Sequence, residues 1–204
     1  MIRRIDIISS LVIGEAAALL MLFISANITL PLAVRSYVSL LPFAFPFFTV
    51  AVMLVGSLLG ARIAVAHQFT KFLLVGGLNF LIDLGVLNAL ILLTGVSQGA
   101  LAVGFKAAGF TAAVISSFLW NKFWTFRAVS LEHAGLQFVE FVSVALIGLG
   151  LNTGIFAFVN DAIGPQGAIP PQTWANIAAV AAAAIGFVWN FLGYKYFVFR
   201  RPTG

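Results

Sequence analysis

Residues 72–93 read FLLVGGLNFLIDLGVLNALILL, a run of 22 residues in which Asp83 is the only charged side chain. A helix of about 20 mostly apolar residues spans the hydrocarbon core of a bilayer. The whole chain has the same character, since 62% of its 204 residues are apolar, 8% are charged and none is cysteine. Soluble domains are usually about 25% charged. The composition therefore excludes a soluble globular enzyme, a disordered chain and a disulfide scaffold.

Five further runs share this length and apolarity. Long continuous runs rich in Ala, Leu and Gly favour helices over the short alternating strands of a membrane barrel. The sequence therefore predicts an all-α polytopic membrane protein with six transmembrane helices. The helices are expected to run roughly over Ile7 to Leu30, Leu40 to Ala61, Phe72 to Leu93, Ala100 to Trp120, Phe138 to Asn160 and Trp174 to Gly193.

The basic residues are distributed unequally about these helices. Nine of the eleven fall on one side of the six-helix arrangement, and only Arg35 and Lys106 fall on the other. Because cytoplasmic loops carry an excess of Lys and Arg, we expect both termini in the cytoplasm and the protein in the inner (cytoplasmic) membrane. No loop is long enough for a soluble catalytic domain, so we expect no enzymatic activity. We also expect no cofactor, no metal site and no nucleic-acid binding. His67 and His133 stand alone in predicted loops and are expected to face solvent.

The last two pairs of helices resemble each other. Residues 117–127, SFLWNKFWTFR, align without a gap with residues 190–200, NFLGYKYFVFR. Each unit has two helices, so both copies would enter the membrane in the same direction. The last four helices are therefore expected to form two parallel two-helix repeats. In the preceding helices the matches are Phe72-Leu-Leu-Val75 with Phe141-Val-Ser-Val144 and Asp83-Leu-Gly85 with Asn152-Thr-Gly154.

Three segments resemble the GtrA-like family of small four-helix membrane proteins: FLLVGGLNFLID at residues 72–83, NKFWTF at residues 121–126 and NFLGYKYFVF at residues 190–199. The resemblance covers about Phe69 to Arg201. It implies a GtrA-like four-helix membrane domain over residues 69–204, preceded by a two-helix extension over residues 1–68. The chain departs from the family pattern at Ser117, where Asn is usual, and at Tyr194, which aligns with Asn121.

The resemblance implies the translocation of an undecaprenyl-phosphate-linked monosaccharide across the cytoplasmic membrane, for the synthesis or modification of cell-surface polysaccharide or lipopolysaccharide. Some relatives instead assist a polyprenyl-phosphate glycosyltransferase. A non-catalytic partner that anchors or regulates such an enzyme is therefore the alternative, and an exporter that uses Asp83 as a proton site is a third interpretation. The implied partners are membrane lipid, a polyprenyl-phosphate-linked sugar and, under the alternative, the glycosyltransferase. A homo-oligomer also stays open.

Polar side chains at membrane depth are the first candidate substrate contacts. A charge at the centre of a transmembrane helix costs about 2.5–3.5 kcal/mol, so Asp83 and Lys106 are expected to pair. Asn79 lies one turn from Asp83 on the same face. These residues either line a polar cavity for phosphate and sugar hydroxyls or form a structural pair. Glu140 begins a helix, where a carboxylate favours the helix dipole, and is expected to be structural.

A second group of candidates lies at the expected cytoplasmic surface in both repeats. Arg and Lys bind phosphate oxygens, and aromatic faces stack on sugar rings. The alternatives are positive-inside anchoring and an interfacial aromatic belt. The candidate substrate-binding residues of this group are Trp120, Asn121, Lys122, Trp124, Arg127, Trp189, Asn190, Lys195 and Arg200. Separately, Gly56-x-x-x-Gly60 and Gly150-x-x-x-Gly154 are expected to allow close helix packing.

Overall fold

The computed structural model describes residues 2–27, 36–96, 99–167, 169, 181 and 184–199. Within these residues every regular element is helical, which confirms the all-α class. The helices are α1 (Arg4–Asn27), α2 (Leu41–Gly60), α3 (Ala64–Thr94), α4 (Gly99–Trp120), α5 (Ala134–Ala157) and α6 (residues 184–193). Wider π-helical turns extend α4 over Asn121–Thr125, α5 over Phe158–Ile163 and α6 over Tyr194–Val198.

Four stretches among the described residues are long and apolar enough to cross a membrane. They are Arg4–Ser25, Leu41–Gly60, Val65–Thr94 and Ala134–Asn152. The protein is therefore a multi-pass membrane protein. The fourth expected span corresponds to α4, whereas nine of the twenty residues of the sixth, Trp174 to Gly193, lie outside the described residues. The count of six spans stays a prediction.

The chain divides into two compact units, Met1–Arg127 and Ala128–Gly204. In the first unit, α1 packs against α2 and α3, α2 packs against α3, and α3 packs against α4. In the second unit, the π-helical end of α6 packs against α5. The division into an extension and a family domain at residue 68 stays a prediction. The apolar core of the first unit contains Ile13, Ala17, Met53, Leu74, Val75, Leu78 and Trp124.

Glycines let α2 approach α3 closely. A Cβ on Gly56 would collide with the Thr70 side chain, and a Cβ on Gly60 would lie 2.9 Å from the His67 Cβ. The expected close packing is thus confirmed for this pair. A Cβ on Gly150 or Gly154 would instead meet nothing within 4 Å. Among the described residues, the expectation of tight packing is wrong for the second pair.

Both copies of the repeated motif contain the same unusual local structure. The π-helical turns Asn121–Thr125 and Tyr194–Val198 occupy aligned residues. The Phe126 amide donates to the Asn121 carbonyl at 2.9 Å, and the Phe199 amide donates to the Tyr194 carbonyl at 2.8 Å. Single π-helical turns are rare and often occur at functional sites. Their recurrence supports the internal repeat, while the arrangement of the two copies in the membrane stays a prediction.

Candidate functional site

A buried carboxylate near the start of α1 collects polar and basic groups from two other helical segments. Asp6 is 0% exposed and lies in the first turn of α1. Its Oδ1 forms a buried ion pair with the Lys71 Nζ of α3. The same oxygen accepts a hydrogen bond from Trp124 Nε1, in the π-helical turn after α4, at 3.2 Å. One side chain thus ties together α1, α3 and the end of α4.

Three further residues surround this carboxylate. Asp6 Oδ2 accepts a hydrogen bond from the Arg3 backbone amide at 3.1 Å and lies 3.4 Å from His67 Nε2. The guanidinium groups of Arg3 and Arg127 lie 3.7 Å and 3.6 Å from the carboxylate oxygens. We refer to these side chains together as the Asp6 cluster. Its members are Arg3, Asp6, His67, Lys71, Trp124 and Arg127.

The local structure at the end of α4 positions two members of the cluster. After the π-helical turn that carries Trp124, Arg127 adopts a φ of 56°. This left-handed conformation is uncommon for a residue other than glycine and costs free energy. Lys71 Nζ also lies 5.2 Å from the centroid of the Trp124 ring, a distance at which a cation is attracted to an aromatic face. Arg127 adopts its left-handed conformation where its guanidinium group lies beside Asp6.

The Asp6 cluster has a surplus of positive charge. It contains one carboxylate and the three basic side chains of Arg3, Lys71 and Arg127, and His67 adds a charge only when protonated. Lys71 is 1% exposed, whereas the side chains of Arg3 and Arg127 are 45% and 35% exposed. Asp6 neutralises the buried Lys71, and the two guanidinium groups stay accessible. Guanidinium groups bind phosphate oxygens with two parallel hydrogen bonds, so this arrangement suits a phosphate.

Aromatic side chains form a cavity beside this cluster. Trp120 packs edge-on against Trp124, with ring centroids 5.8 Å apart and an interplanar angle of 74°. Both rings line a cavity of about 300 Å³ between the start of α1 and the end of α4. The structure thus brings together three of the residues expected to bind substrate, namely Trp120, Trp124 and Arg127. The other side chains that line this cavity belong to Ile5, Ser9, Leu119 and Phe123.

The lysines of the two repeated motifs make matching contacts. Lys122 Nζ lies 6.0 Å from the ring centroids of both Phe118 and Phe123, and Lys195 Nζ lies 5.9 Å and 5.2 Å from the two aligned rings. Lys122 is only 1% exposed, and burial lowers the pKa of its ammonium group. Lys122 is therefore packed among aromatic rings, and its expected place at the cytoplasmic surface and its role in substrate binding stay predictions.

Two buried asparagines present acceptor atoms. Asn79 Nδ2 donates to the Val75 carbonyl at 2.8 Å, and Asn121 Nδ2 donates to the Ser117 carbonyl at 2.9 Å. The Oδ1 atoms of both asparagines are buried and have no hydrogen-bond partner among the described residues. Buried polar atoms are usually hydrogen-bonded. These two oxygens can accept hydrogen bonds from hydroxyl groups of a ligand or from water.

Of the expected ion pair between Asp83 and Lys106, the structure describes only the side chain of Asp83. Gly109 of α4 abuts Asp83, because a Cβ on Gly109 would lie 2.5 Å from the Asp83 carbonyl oxygen and 2.8 Å from its Oδ1. The side chain of Lys106 lies outside the part of the chain that the structure describes, and so does Arg200. The ion pair and the role of Arg200 therefore stay predictions.

In the second unit, Trp189 and Asn190 serve contacts between helices. Trp189 Nε1 donates to the Val144 carbonyl of α5 at 3.1 Å. The side-chain oxygen of Asn190 occupies the space that a Cβ on Gly148 would need. The described contacts of these two residues hold α6 against α5, and their expected role in substrate binding stays a prediction.

Sequence reasoning missed the centre of the site. Asp6 and Lys71 were not expected to pair, and the expected exposure of His67 to solvent is wrong because His67 contacts Asp6. His133 is exposed as expected. The available signal was a carboxylate at the start of a mostly apolar helix, two residues after Arg4. Its partners are distant in the sequence, and no local sequence pattern indicates that they pair with Asp6.

The family described as GtrA/DPMS, transmembrane domain, matches residues 71–199, which is more than half of the chain and includes most of both repeated motifs. The chain belongs to this family. GtrA proteins are typically non-catalytic, flippase-like membrane proteins. The match begins at Lys71, so the Asp6 cluster joins the first residue of the GtrA-like region to side chains of α1, outside that region. No curated protein and no solved structure matches the chain.

Proposed function

We propose that this GtrA-like protein translocates a polyprenyl-phosphate-linked monosaccharide, carried on undecaprenyl phosphate, across the inner membrane for the synthesis or modification of surface polysaccharide or lipopolysaccharide. The observation that carries this proposal is the surplus of positive charge in the Asp6 cluster of a GtrA-family membrane protein. The proposal includes six spans and cytoplasmic termini, so that the cluster lies at the inner leaflet, where such a lipid is expected to bind first.

The proposed mechanism moves only the head group of the lipid. The prenyl tail stays in hydrocarbon, so the phosphate and the sugar alone have to leave water. Arg3 and Arg127 receive the phosphate at their exposed guanidinium groups. The sugar ring packs against Trp120 at the neighbouring cavity. Replacing water by fixed donors and acceptors lowers the cost of burying the charged head group.

The buried polar atoms of the first unit suit the next step of this path. The unpartnered oxygens of Asn79 and Asn121 accept hydrogen bonds from sugar hydroxyls after the head group leaves the surface. Asp83 and Lys106 are proposed to line the path at greater depth. Lys122 and Lys195 lie among aromatic rings, and we propose that they favour the head group by charge. Arg200, Trp189 and Asn190 complete the proposed substrate contacts of the second repeat.

The test is a transport assay with the purified full-length protein. Proteoliposomes containing short-chain polyprenyl-phosphate hexoses are treated with external periodate, which oxidises only sugars in the outer leaflet. Wild-type protein is expected to make most of the lipid accessible, whereas empty vesicles leave about half protected because the lipid divides between two leaflets. Arg127→Gln is expected to slow the exchange. Arg62→Gln removes the same charge from an exposed position between α2 and α3 and is the matched control.

Two outcomes would count against translocation by this chain. If no hexose exchanges faster than in empty vesicles, the chain does not flip the lipid by itself. Restored activity of a co-reconstituted polyprenyl-phosphate glycosyltransferase would then favour the alternative, in which the protein anchors or regulates that enzyme. If Arg127→Gln and Arg62→Gln behave alike, the Asp6 cluster is not the phosphate site.

A further inference from the structure

The two repeats differ in whether an outer helix covers them. In the first repeat, Leu74 and Leu78 of α3 are 9% and 4% exposed because α1 and α2 pack on that face. Farther along α3, a Cβ on Gly85 would lie 2.6 Å from Leu20 Cδ2 of α1. Trp124, at the end of the repeat, is 4% exposed and donates a hydrogen bond to Asp6 of α1. This face is thus a seat for α1.

The aligned face of the second repeat is open among the described residues. Ser143, which aligns with Leu74, is exposed, and Ile147, which aligns with Leu78, is 52% exposed. Phe197, which aligns with Trp124, is 60% exposed. Together with neighbouring residues they line a groove of about 380 Å³ between α5 and the end of α6. A Cβ on Gly154, the counterpart of Gly85, would meet nothing within 4 Å.

The charge at the start of this face is inverted between the two copies. Glu140 lines the groove at the position that aligns with Lys71. In the first copy, Lys71 pairs with the carboxylate of Asp6 on α1. A helix seated in the second groove in the same way needs a cation where α1 presents Asp6. Small residues on the same face, Ser143 and Gly154, would allow such a helix to approach closely.

The outer face of α1 carries that combination of side chains. Arg4, Ile8 and Val12 recur every four residues on one side of the helix, and all three are exposed. The opposite side of α1 carries Asp6 and Ile13, which are buried in the first unit. Because α1 and α5 both begin at the same membrane surface in the six-span arrangement, the helices would run parallel. In the first repeat, Asp6 of α1 meets Lys71. In the same register, Arg4 would lie within about one turn of Glu140, the counterpart of Lys71, and Val12 within about one turn of Ile147.

We propose that a second copy of this chain seats the outer face of its α1 in the groove on α5 and α6, with its Arg4 paired to Glu140. The contact repeats between two molecules the helix seat that α1 and the first repeat form within one. Glu140 thereby gains a partner. The expectation that Glu140 begins a helix is wrong, because α5 begins six residues earlier, at Ala134. The proposal is independent of the transported substrate.

Disulfide cross-linking tests this contact directly, because the chain contains no cysteine. Two differently tagged copies are co-expressed, one with Val12→Cys and the other with Ile147→Cys, and the membranes are oxidised. A disulfide forms only when the two Cα atoms approach within about 7 Å. We expect a cross-linked dimer that carries both tags, and the same result for Ile8→Cys with Ser143→Cys. In the matched control, Leu149→Cys replaces Ile147→Cys; Leu149 is exposed on the other side of α5.

Charge reversal tests the ionic part of the contact. Glu140→Arg in the copy that carries Ile147→Cys is expected to reduce the yield of the Val12–Ile147 cross-link to the level of the Leu149→Cys control. Arg4→Glu in the copy that carries Val12→Cys should restore it, which also shows that the Glu140→Arg chain is folded. No dimer at either pair, an equal yield with Leu149→Cys, or a yield unchanged by Glu140→Arg would overturn the proposal. In the first case, lipid rather than a second copy occupies the groove.

Discussion

Replacing Asp6 by Asn is expected to destabilise the protein strongly because it leaves a buried cation without its counter-ion. Asp6 and Lys71 are 0% and 1% exposed, and Lys71 forms its ion pair with Asp6. Removing one member of a buried pair typically costs about 3–5 kcal/mol. Asn keeps the size of the side chain and one acceptor for Trp124, so the loss reflects charge. We therefore expect the free energy of unfolding to fall by about 3–5 kcal/mol.

The double variant Asp6→Asn with Lys71→Met separates the ion pair from other effects. It removes both charges and keeps an unbranched apolar side chain at residue 71. Its cost is expected to be smaller than the sum of the two single costs by about 0.5–3 kcal/mol, the size of coupling found between residues in direct contact. Unfolding is measured by titration with SDS in mixed micelles, followed by the fluorescence of the four tryptophans.

A matched carboxylate provides the control for this series. Glu132→Gln makes the same chemical change at an exposed position between α4 and α5, and surface changes of this kind usually alter stability by less than about 0.5 kcal/mol. If Asp6→Asn is as mild as Glu132→Gln, the charge of Asp6 does not stabilise the protein. If the single costs add in the double variant, Asp6 and Lys71 do not interact.

Three further predictions concern other parts of the molecule. Gly109→Leu is expected to destabilise the protein by about 1–3 kcal/mol, since a Cβ at residue 109 would lie 2.5 Å from the Asp83 carbonyl oxygen. SDS titration checks this, with Gly104→Leu as the control because a Cβ there would meet nothing within 4 Å. Burial raises the pKa of Tyr194, so above about pH 10 the unfolded chain releases a proton that the folded chain retains, and stability falls as the pH rises. Tyr194→Phe should flatten this decline in urea or SDS titrations at several alkaline pH values. An unchanged dependence of stability on pH would contradict the prediction. Reporter fusions after Val129 and Gly204 should be cytoplasmic and one after Pro165 periplasmic, whereas a periplasmic fusion at Gly204 would rule out the six-span arrangement.

Local sequence was sufficient for the class of the protein and for its family. About 20 consecutive apolar residues are long enough to span a bilayer. Such a segment forms a helix because every backbone polar group has to be hydrogen-bonded within it. The GtrA-like resemblance, which rests on motifs such as NKFWTF at residues 121–126, is confirmed by the match over residues 71–199. Both properties depend on residues that are close in the chain, so no knowledge of packing was needed.

The sequence indicated the aligned motifs but not their local structure. The expected helices end at Trp120 and Gly193, and each is continued by a π-helical turn, Asn121–Thr125 and Tyr194–Val198. In both turns the lysine lies near aromatic rings of its own segment. Lys122 is also buried there. Periodicity alone does not distinguish these turns from a regular α-helix.

Tertiary structure alone decided which residues meet. Asp6 joins Lys71, 65 residues away, and Trp124, 118 residues away, and no local pattern links such positions. The same is true of the two repeats, whose sequences match while α1 covers a face of the first and the counterpart face of the second is exposed among the described residues. Helical periodicity determines which side of a helix is apolar, but the choice of neighbour follows from packing and charge compensation over the whole unit. A buried charge such as Lys71 is tolerated only where the fold supplies its counter-ion.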